Sequence, residues 1–217
     1  MTDAPTPRTR IKRHPERASY DSATIFAILD EALICHVAYV DAGGSPRVIP
    51  TIHARIEDTL YLHGSAASRT ALALRDGAEV AVVVTILDGL VLARSAAKHS
   101  MNYRSAIVYG EAREVTDPDE RLAVARAIVE HVVPGRADHV RMPDGPENKE
   151  TLMLAVGMDE ASAKIRIGPP KDDERDLAGP TWAGVLPLHT VAGEPVADSS
   201  GIPVPDHVTG YRRPSGR

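Results

Sequence analysis

Two stretches of this 217-residue chain gather side chains that could do chemistry. Residues 61–69 read YLHGSAASR, an apolar strand ending on His63 and then a turn of small residues that carries Ser65, Ser68 and Arg69. The pattern predicts a strand over 60–62, a tight loop over 64–68 and a helix over 69–75. A loop feeding a helix start offers backbone N–H groups, and here also two hydroxyls and a guanidinium that can grip a phosphate at two points. Residues 100–110, SMNYRSAIVYG, begin polar with Asn102, Tyr103, Arg104 and Ser105 and turn apolar at Ile107 and Val108. Polar groups placed so can line a cleft while the apolar ones fill a barrel. The two sets together suit a phosphate-bearing ring cofactor, and a flavin is such a molecule.

The elements that must position these residues follow from periodicity. Ser22 can cap a helix whose apolar stripe is Ile25, Phe26, Ile28 and Leu29. Residues 33–40 read as a first strand, turned by Asp41, Ala42, Gly43 and Gly44 into a second over 47–56. Glu57 and Asp58 then turn the chain into the strand that precedes His63. The run 79–87 is so evenly apolar that both its faces should be covered, and Asp88-Gly89 predicts a hairpin into 90–93. The Tyr103 strand extends to Val115. Asp117-Pro118 opens a helix with Leu122, Ala125, Ile128, Val129 and Val132 on one side, and Pro134-Gly135 stops it. Residues 136–150 read as a surface excursion, and 152–156 and 163–167 as the last two strands. In the second of these, Lys164 and Arg166 share one face and Ile165 and Ile167 the other. The fold class is mainly β with helices. Three segments are expected: a flexible basic arm over 1–17, a barrel domain over 18–168, and an extended segment over 169–217 that wraps the barrel or a dimer partner.

With its parts in this order, the chain over roughly residues 8 to 190 resembles the flavin-nucleotide-binding split barrels of the pyridoxamine-phosphate-oxidase-like superfamily, in the branch that includes nitroimidazole-resistance reductases. The resemblance is carried by the basic arm, the helix, the strand Val48-Ile49-Pro50-Thr51-Ile52, the His63 loop and the Tyr103 strand. The runs Ala161-Ser162-Ala163-Lys164-Ile165-Arg166 and Trp182-Ala183-Gly184-Val185-Leu186-Pro187-Leu188 also look like this branch. It implies an FMN-binding split β-barrel that forms a homodimer with two sites at the subunit interface. It further implies that Pro50, Thr51 and Ile52 lie along the isoalloxazine edge and that Ser65, Ser68 and Arg69 hold the phosphate or ribityl chain. His63, Tyr103 and Ser105 would sit nearby, and Trp182 would cover the partner subunit's flavin.

The activity implied is that of an oxidoreductase passing reducing equivalents from a reduced nicotinamide to a small oxidised acceptor of nitroaromatic or quinone type. No side chain is singled out as catalytic, because in such proteins the cofactor carries the redox chemistry. Three alternatives stay open: haem, which some split barrels bind through a histidine; a deazaflavin, whose long acidic tail would call on Arg94, Lys98, Arg104 and Arg113; and carriage or sensing of a bound cofactor without turnover. Oxidation of pyridoxamine phosphate itself would need a second set of basic and aromatic groups, and the sequence shows none.

Composition narrows the classes further. A net charge of −5 and a pI near 6.0 argue against a general nucleic-acid binder, which clusters positive charge. The one basic run, residues 8–17, reads as a solvated tail. No stretch of about twenty apolar residues predicts a membrane span, and no apolar segment follows the N-terminal charges, so a cytoplasmic protein is expected. The single cysteine, Cys35, lies in an apolar segment and reads as a buried small hydrophobe. His36, His53, His63 and His99 fall near strand ends or turns, but none is paired with another ligand at a metal-binding spacing, so no metal site is expected. Gly64-Ser65-Ala66 lacks the second glycine of a nucleophile elbow, and no βαβ unit surrounds the glycines, which argues against a hydrolase or a dinucleotide-binding Rossmann protein.

Overall fold

The computed structural model describes residues 3–198 and 201–212. Ten strands run in the order β1 (Ala18–Ser19), β2 (Cys35–Val40), β3 (Pro46–Thr51), β4 (His53–Ile56), β5 (Thr59–Ser65), β6 (Glu79–Leu92), β7 (Ser100–Glu114), β8 (Thr151–Gly157), β9 (Glu160–Arg166) and β10 (Gly184–Pro187). The helices are α1 (Ser22–Glu31), α2 (Arg69–Arg75), α3 (Pro118–Val132), α4 (Gly145–Glu150) and α5 (Asp206–Thr209). All the ladders are antiparallel, and the main path is β3-β2-β6-β7-β8-β5-β4, with β9 against β7 and β10 against β6. β3 and β4 are thus the two ends of the path yet neighbours in the chain, joined only at Ile52. The sheet curls round until its ends meet covalently and not through a ladder, which makes a split barrel.

Side-chain alternation decides what fills it. Along β2, Cys35, Val37 and Tyr39 are buried while His36 and Val40 are exposed. Along β6, Val80, Val82 and Val84 are no more than 1% exposed, and they meet Ile28, Leu29, Leu60, Ala106 and Val108 in the main core. Burial pushes the Cys35 thiol up to about 12, so it packs as an apolar group and offers no thiolate at neutral pH. A second, smaller cluster under α3 joins Tyr61, Val115, Val124, Ala125 and Met153.

Several sequence expectations shift in physically instructive ways. The cap of α1 is Asp21, whose carboxylate accepts from Thr24 N, and Ser22 is the first helical residue. The strand expected over 47–56 breaks at Ile52, because β3 and β4 belong to opposite ends of the curled sheet. Asp88-Gly89 does not make a hairpin: β7 pairs straight across it, with a register shift between Leu87 and Gly89, so β6 runs through as one bulged strand. In α3 the face turned inward centres on Val124 and Ala125, leaving Leu122 48% exposed. The two faces of β6 are also unequal. Beyond the core-facing valines, Ala81 and Val83 are half-buried, and Thr85 and Leu87 are exposed.

The bulge has a partner that explains it. Asp88 and Glu31, at the end of α1, converge on the Arg104 guanidinium of β7, with Nε to Asp88 at 2.9 Å and Nη2 to Glu31 at 2.7 Å. All three side chains are 9 to 12% exposed, so the ion group ties the helix end, the bulge and the central strand together. The two carboxylates hold the guanidinium charged, well above its ordinary value.

Candidate functional site

A cavity of about 150 Å³ opens at the split. Its walls come from β3 at one end of the curled sheet (Ile49 and Thr51), from β5 next to the other end (His63 and Gly64), and from the α2 cap Ser68 and Thr70 of α2, with Leu62, Leu74 and Leu154 behind. Gly64 lies across from the Ala71 methyl, 3.8 Å from where a Cβ would stand. The pocket is mostly apolar, and His63 is the only titratable side chain among the described residues of its lining. Desolvation lowers the His63 pKa, so the ring is neutral at pH 7, and its Nδ1 is buried without a hydrogen-bond partner. A neutral imidazole with an unused buried nitrogen is the form that ligates a metal or accepts from a cofactor.

The loop above the pocket is partly self-satisfied. Ser68 caps α2, Ser68 N donates to Ser65 O at 2.8 Å, Ala67 N to Ser65 Oγ at 3.3 Å and Ala66 N to Glu150 O at 2.8 Å. Three amides expected to face a phosphate are therefore already in use. What the loop keeps to offer is the Arg69 guanidinium, exposed and without a carboxylate partner among the described residues, and the Ser65 and Ser68 hydroxyl protons.

Tyr103 and Ser105 lie elsewhere. Register places Pro50, His36, Val83, Ile107 and Ser162 side by side across the outer face of the sheet, with Thr85, Ser105 and Lys164 in the next row. Pro50, Tyr103 and Ser105 thus share the face opposite to the one that carries Thr51 toward the pocket. The Ser105 hydroxyl donates to Val84 O at 2.9 Å and accepts from Thr85 Oγ1 at 3.2 Å, so its proton is committed. Over β7 and β9 this face is covered by the N-terminal arm, which leaves a groove of about 360 Å³. The structure accordingly gathers Thr51, His63 and Ser68 at the split, with Ser65 and Arg69 at its rim, and sets Tyr103 and Ser105 in the groove. Ile52 is the half-buried link between the two sheet ends.

Trp182 joins neither set. It is 66% exposed, with its ring over Gly184, where a Cβ would stand 2.7 Å from ring atoms. Just beyond it, β10 adds to the edge of β6 in the same chain. The four cations considered for a long acidic tail each hold carboxylates instead: Arg94 with Asp172, Lys98 with Asp173, Arg113 with Glu120, and Arg104 as above. Sequence reasoning passed over the arm residues Arg10, Lys12 and Arg13, although five cations against one carboxylate in residues 8–17 of an acidic chain was a usable signal. His36 was weighed only as a metal ligand, and the alternation of β2 could have placed it beside Pro50.

A split barrel with a pocket between the separated ends of its sheet is the architecture that flavin-nucleotide-binding proteins of this class use. The chain belongs to the pyridoxamine 5'-phosphate oxidase-like family, whose model matches residues 21–165. It is similar to the flavocytochrome Anf3 from Azotobacter vinelandii, at 36% identity over 97% of this chain and 99% of that one, with a TM-score of 0.90. It is also similar to an FAD and haem binding protein from Mycobacterium smegmatis, at 36% identity over 89% of this chain and 96% of the other, with a TM-score of 0.84. A 5-nitroimidazole antibiotic resistance protein from Bacteroides thetaiotaomicron shares the fold, at 23% identity over 68% and 86% of the two chains and a TM-score of 0.57. No curated protein matches the sequence. Among the described residues no helix is long and apolar enough to cross a membrane, and no group of three His, Cys, Asp or Glu side chains is placed to hold a metal ion.

Proposed function

We propose that this protein is a redox protein that binds a flavin nucleotide and a haem at the split of its barrel. The observation that carries the reading is His63: a neutral imidazole with an unpartnered buried nitrogen in an apolar pocket, close in the chain to Arg69, which has no carboxylate partner among the described residues. The residues present fit both groups. Arg69 with the Ser65 and Ser68 hydroxyls would hold the phosphate of the FMN part, which is common to FMN and FAD, and Thr51 and Ile52 would border the ring. His63 would ligate the haem iron, and the pocket being smaller than a macrocycle, the exposed apolar Ile49 of its wall would supply further surface. Two relatives at 36% identity are described as a flavocytochrome and as an FAD and haem binding protein, which supports the pairing of cofactors.

When bound, the flavin supplies hydride and single-electron chemistry and the haem single-electron transfer. The chain's own residues bind, orient and keep water away. Desolvation keeps the His63 ring uncharged near pH 7, and Arg69 supplies fixed positive charge for an anionic group. The electrons are taken from a reduced nicotinamide and delivered to a small oxidised acceptor. A homodimer belongs to the same proposal. β3 is exposed over Pro46–Pro50, with Val48 61% and Ile49 42% exposed, and the exposed Val40 pairs with its first residue; a second copy would cover this apolar edge. Trp182 would then be free to reach the partner's flavin.

The test is the absorption spectrum of the purified protein and of its His63→Ala and Arg69→Ala variants. Flavin and haem bands are expected together in the parent, with haem lost on replacing His63 and flavin weakened on replacing Arg69. Absence of both chromophores, with no uptake of added FMN, FAD or haemin, would overturn the reading.

A further inference from the structure

The N-terminal arm is not a bare tail. Arg8 is clamped by Glu79 of β6 and Glu160 of β9, its guanidinium also lying 5.2 Å from the Tyr109 ring centroid. Ile11 N donates to the Tyr20 hydroxyl at 2.9 Å, Lys164 Nζ donates to Arg13 O at 2.9 Å, and Thr9 is 2% exposed. The short β1 that follows pairs with β9. The backbone of the arm is therefore held across β7 and β9 at several points.

Its side chains are another matter. Arg10, Lys12 and Arg13 are exposed and have no carboxylate partner among the described residues, nor has Lys164 beneath them. Four uncompensated cations thus border one groove in a chain whose net charge is −5, although most of its other arginines are paired. Ordering a segment so that its positive charges converge is costly unless an anion joins them. Glu79 and Glu160 do not line the groove, and both pair with Arg8, whose single charge offsets one of the two. The floor is not polar throughout: Tyr103 and Ile107 lie between Ser105, Ser162 and Lys164. A simple phosphate needs no such floor, whereas a planar base does.

We propose that the groove beneath the arm binds the diphosphate-bearing adenylate half of a dinucleotide, with Arg10, Lys12, Arg13 and Lys164 on the phosphates and the Tyr103–Ile107 floor under the adenine. The proposal builds on the flavin reading above, and that adenylate has two sources: the AMP half of FAD, or the adenylate of a reduced nicotinamide donor.

The experiment is calorimetric titration of ADP into the full-length protein saturated with FMN, repeated with the charge-reversed R10E/K12E/R13E variant and the neutral R10Q/K12Q/R13Q variant. Circular dichroism melts check that both fold. ADP is expected to bind the parent and to lose about tenfold or more in affinity in either variant, the loss of one charge-assisted hydrogen bond or more. FMN affinity is expected to stay unchanged in them, because Arg69 and its loop are untouched. The sources then separate. If the parent binds FAD more tightly than FMN and the variants lose that advantage, the adenylate is the flavin's. If FAD and FMN bind alike and the variants raise KM for the reduced nicotinamide, it is the donor's. ADP failing to bind the parent, or binding folded variants as well as the parent, overturns the proposal. FMN and haem uptake measured on the same preparations shows separately whether the flavin reading stands.

Discussion

The pocket at the split and the groove under the arm sit on opposite faces of one sheet and solve opposite problems. The pocket is small and mostly apolar, and its one titratable group, His63, is kept neutral by desolvation. The groove is larger, and its four cations have no carboxylate partner among the described residues. In the first, burial selects a protonation state. In the second, topology selects a charge pattern by laying a basic segment over a sheet face. The difference teaches that a chain acidic overall can still build a local anion site, provided that the cations are not matched to neighbouring carboxylates.

The largest effect should come from breaking what both regions share. Arg104→Met removes the one guanidinium that Glu31 and Asp88 share in a nearly solvent-free position, and a loss of about 3–5 kcal/mol is expected in urea unfolding. Both ligand affinities should fall together, since β6, β7 and α1 lose their common tie.

His53 gives the next effect and a contrast with His63. It is fully buried, its Nε2 within 2.9 Å of Leu29 O and its ring 4.6 Å from that of His131, and desolvation, reinforced by His131, lowers its pKa to about 4. Its folded-state pKa is depressed, so the unfolded chain takes up the proton first as pH falls. Stability should be complete above about pH 6.5 and decline by roughly 3 kcal/mol toward pH 4. A His53→Gln protein, compared by urea midpoints across that window, should show a flatter decline. An unchanged slope would remove His53 from the explanation.

His63→Ala sharpens the comparison itself. Haem affinity should fall roughly 100-fold or more, at least what disturbing a metal ligand's outer partner costs, while ADP affinity in the groove stays as it was. Salt should supply the smallest effect with the opposite preference. Raising ionic strength from about 0.05 to 0.3 M shortens the screening length, so adenylate binding in the groove should weaken by up to about tenfold while haem retention in the pocket does not move. Equal salt sensitivity at both sites would break the distinction.

How much of this was legible depends on whether a signal is local. The His63 loop, the helix after it and the alternation of β2 follow from neighbouring residues, so the strand, the Ser68 cap and the small-residue turn were readable. The bulge at Asp88 was not, because Asp88-Gly89 is a good hairpin signal and only the continuous pairing with β7 and the Arg104 ion group override it. The break at Ile52 was hidden for a similar reason: nothing in the apolar run 48–52 says that its two halves serve opposite ends of a sheet. The grouping of Tyr103 with His63 failed to form because strand register, a long-range property, puts them on different faces.

The sequence by itself determined the residue chemistry: hydroxyls and an arginine after His63, a basic run in an acidic chain, one cysteine in an apolar strand, and enough alternating strands for a barrel. These depend on composition and on periods of two to four residues, which neighbouring side chains dictate. Only the tertiary structure decided which groups meet, which cations have no carboxylate partner among the described residues, and that His63 faces an apolar pocket at the place where the sheet fails to close. Those outcomes are fixed by pairing between residues far apart in the chain, and burial and charge compensation follow from that pairing.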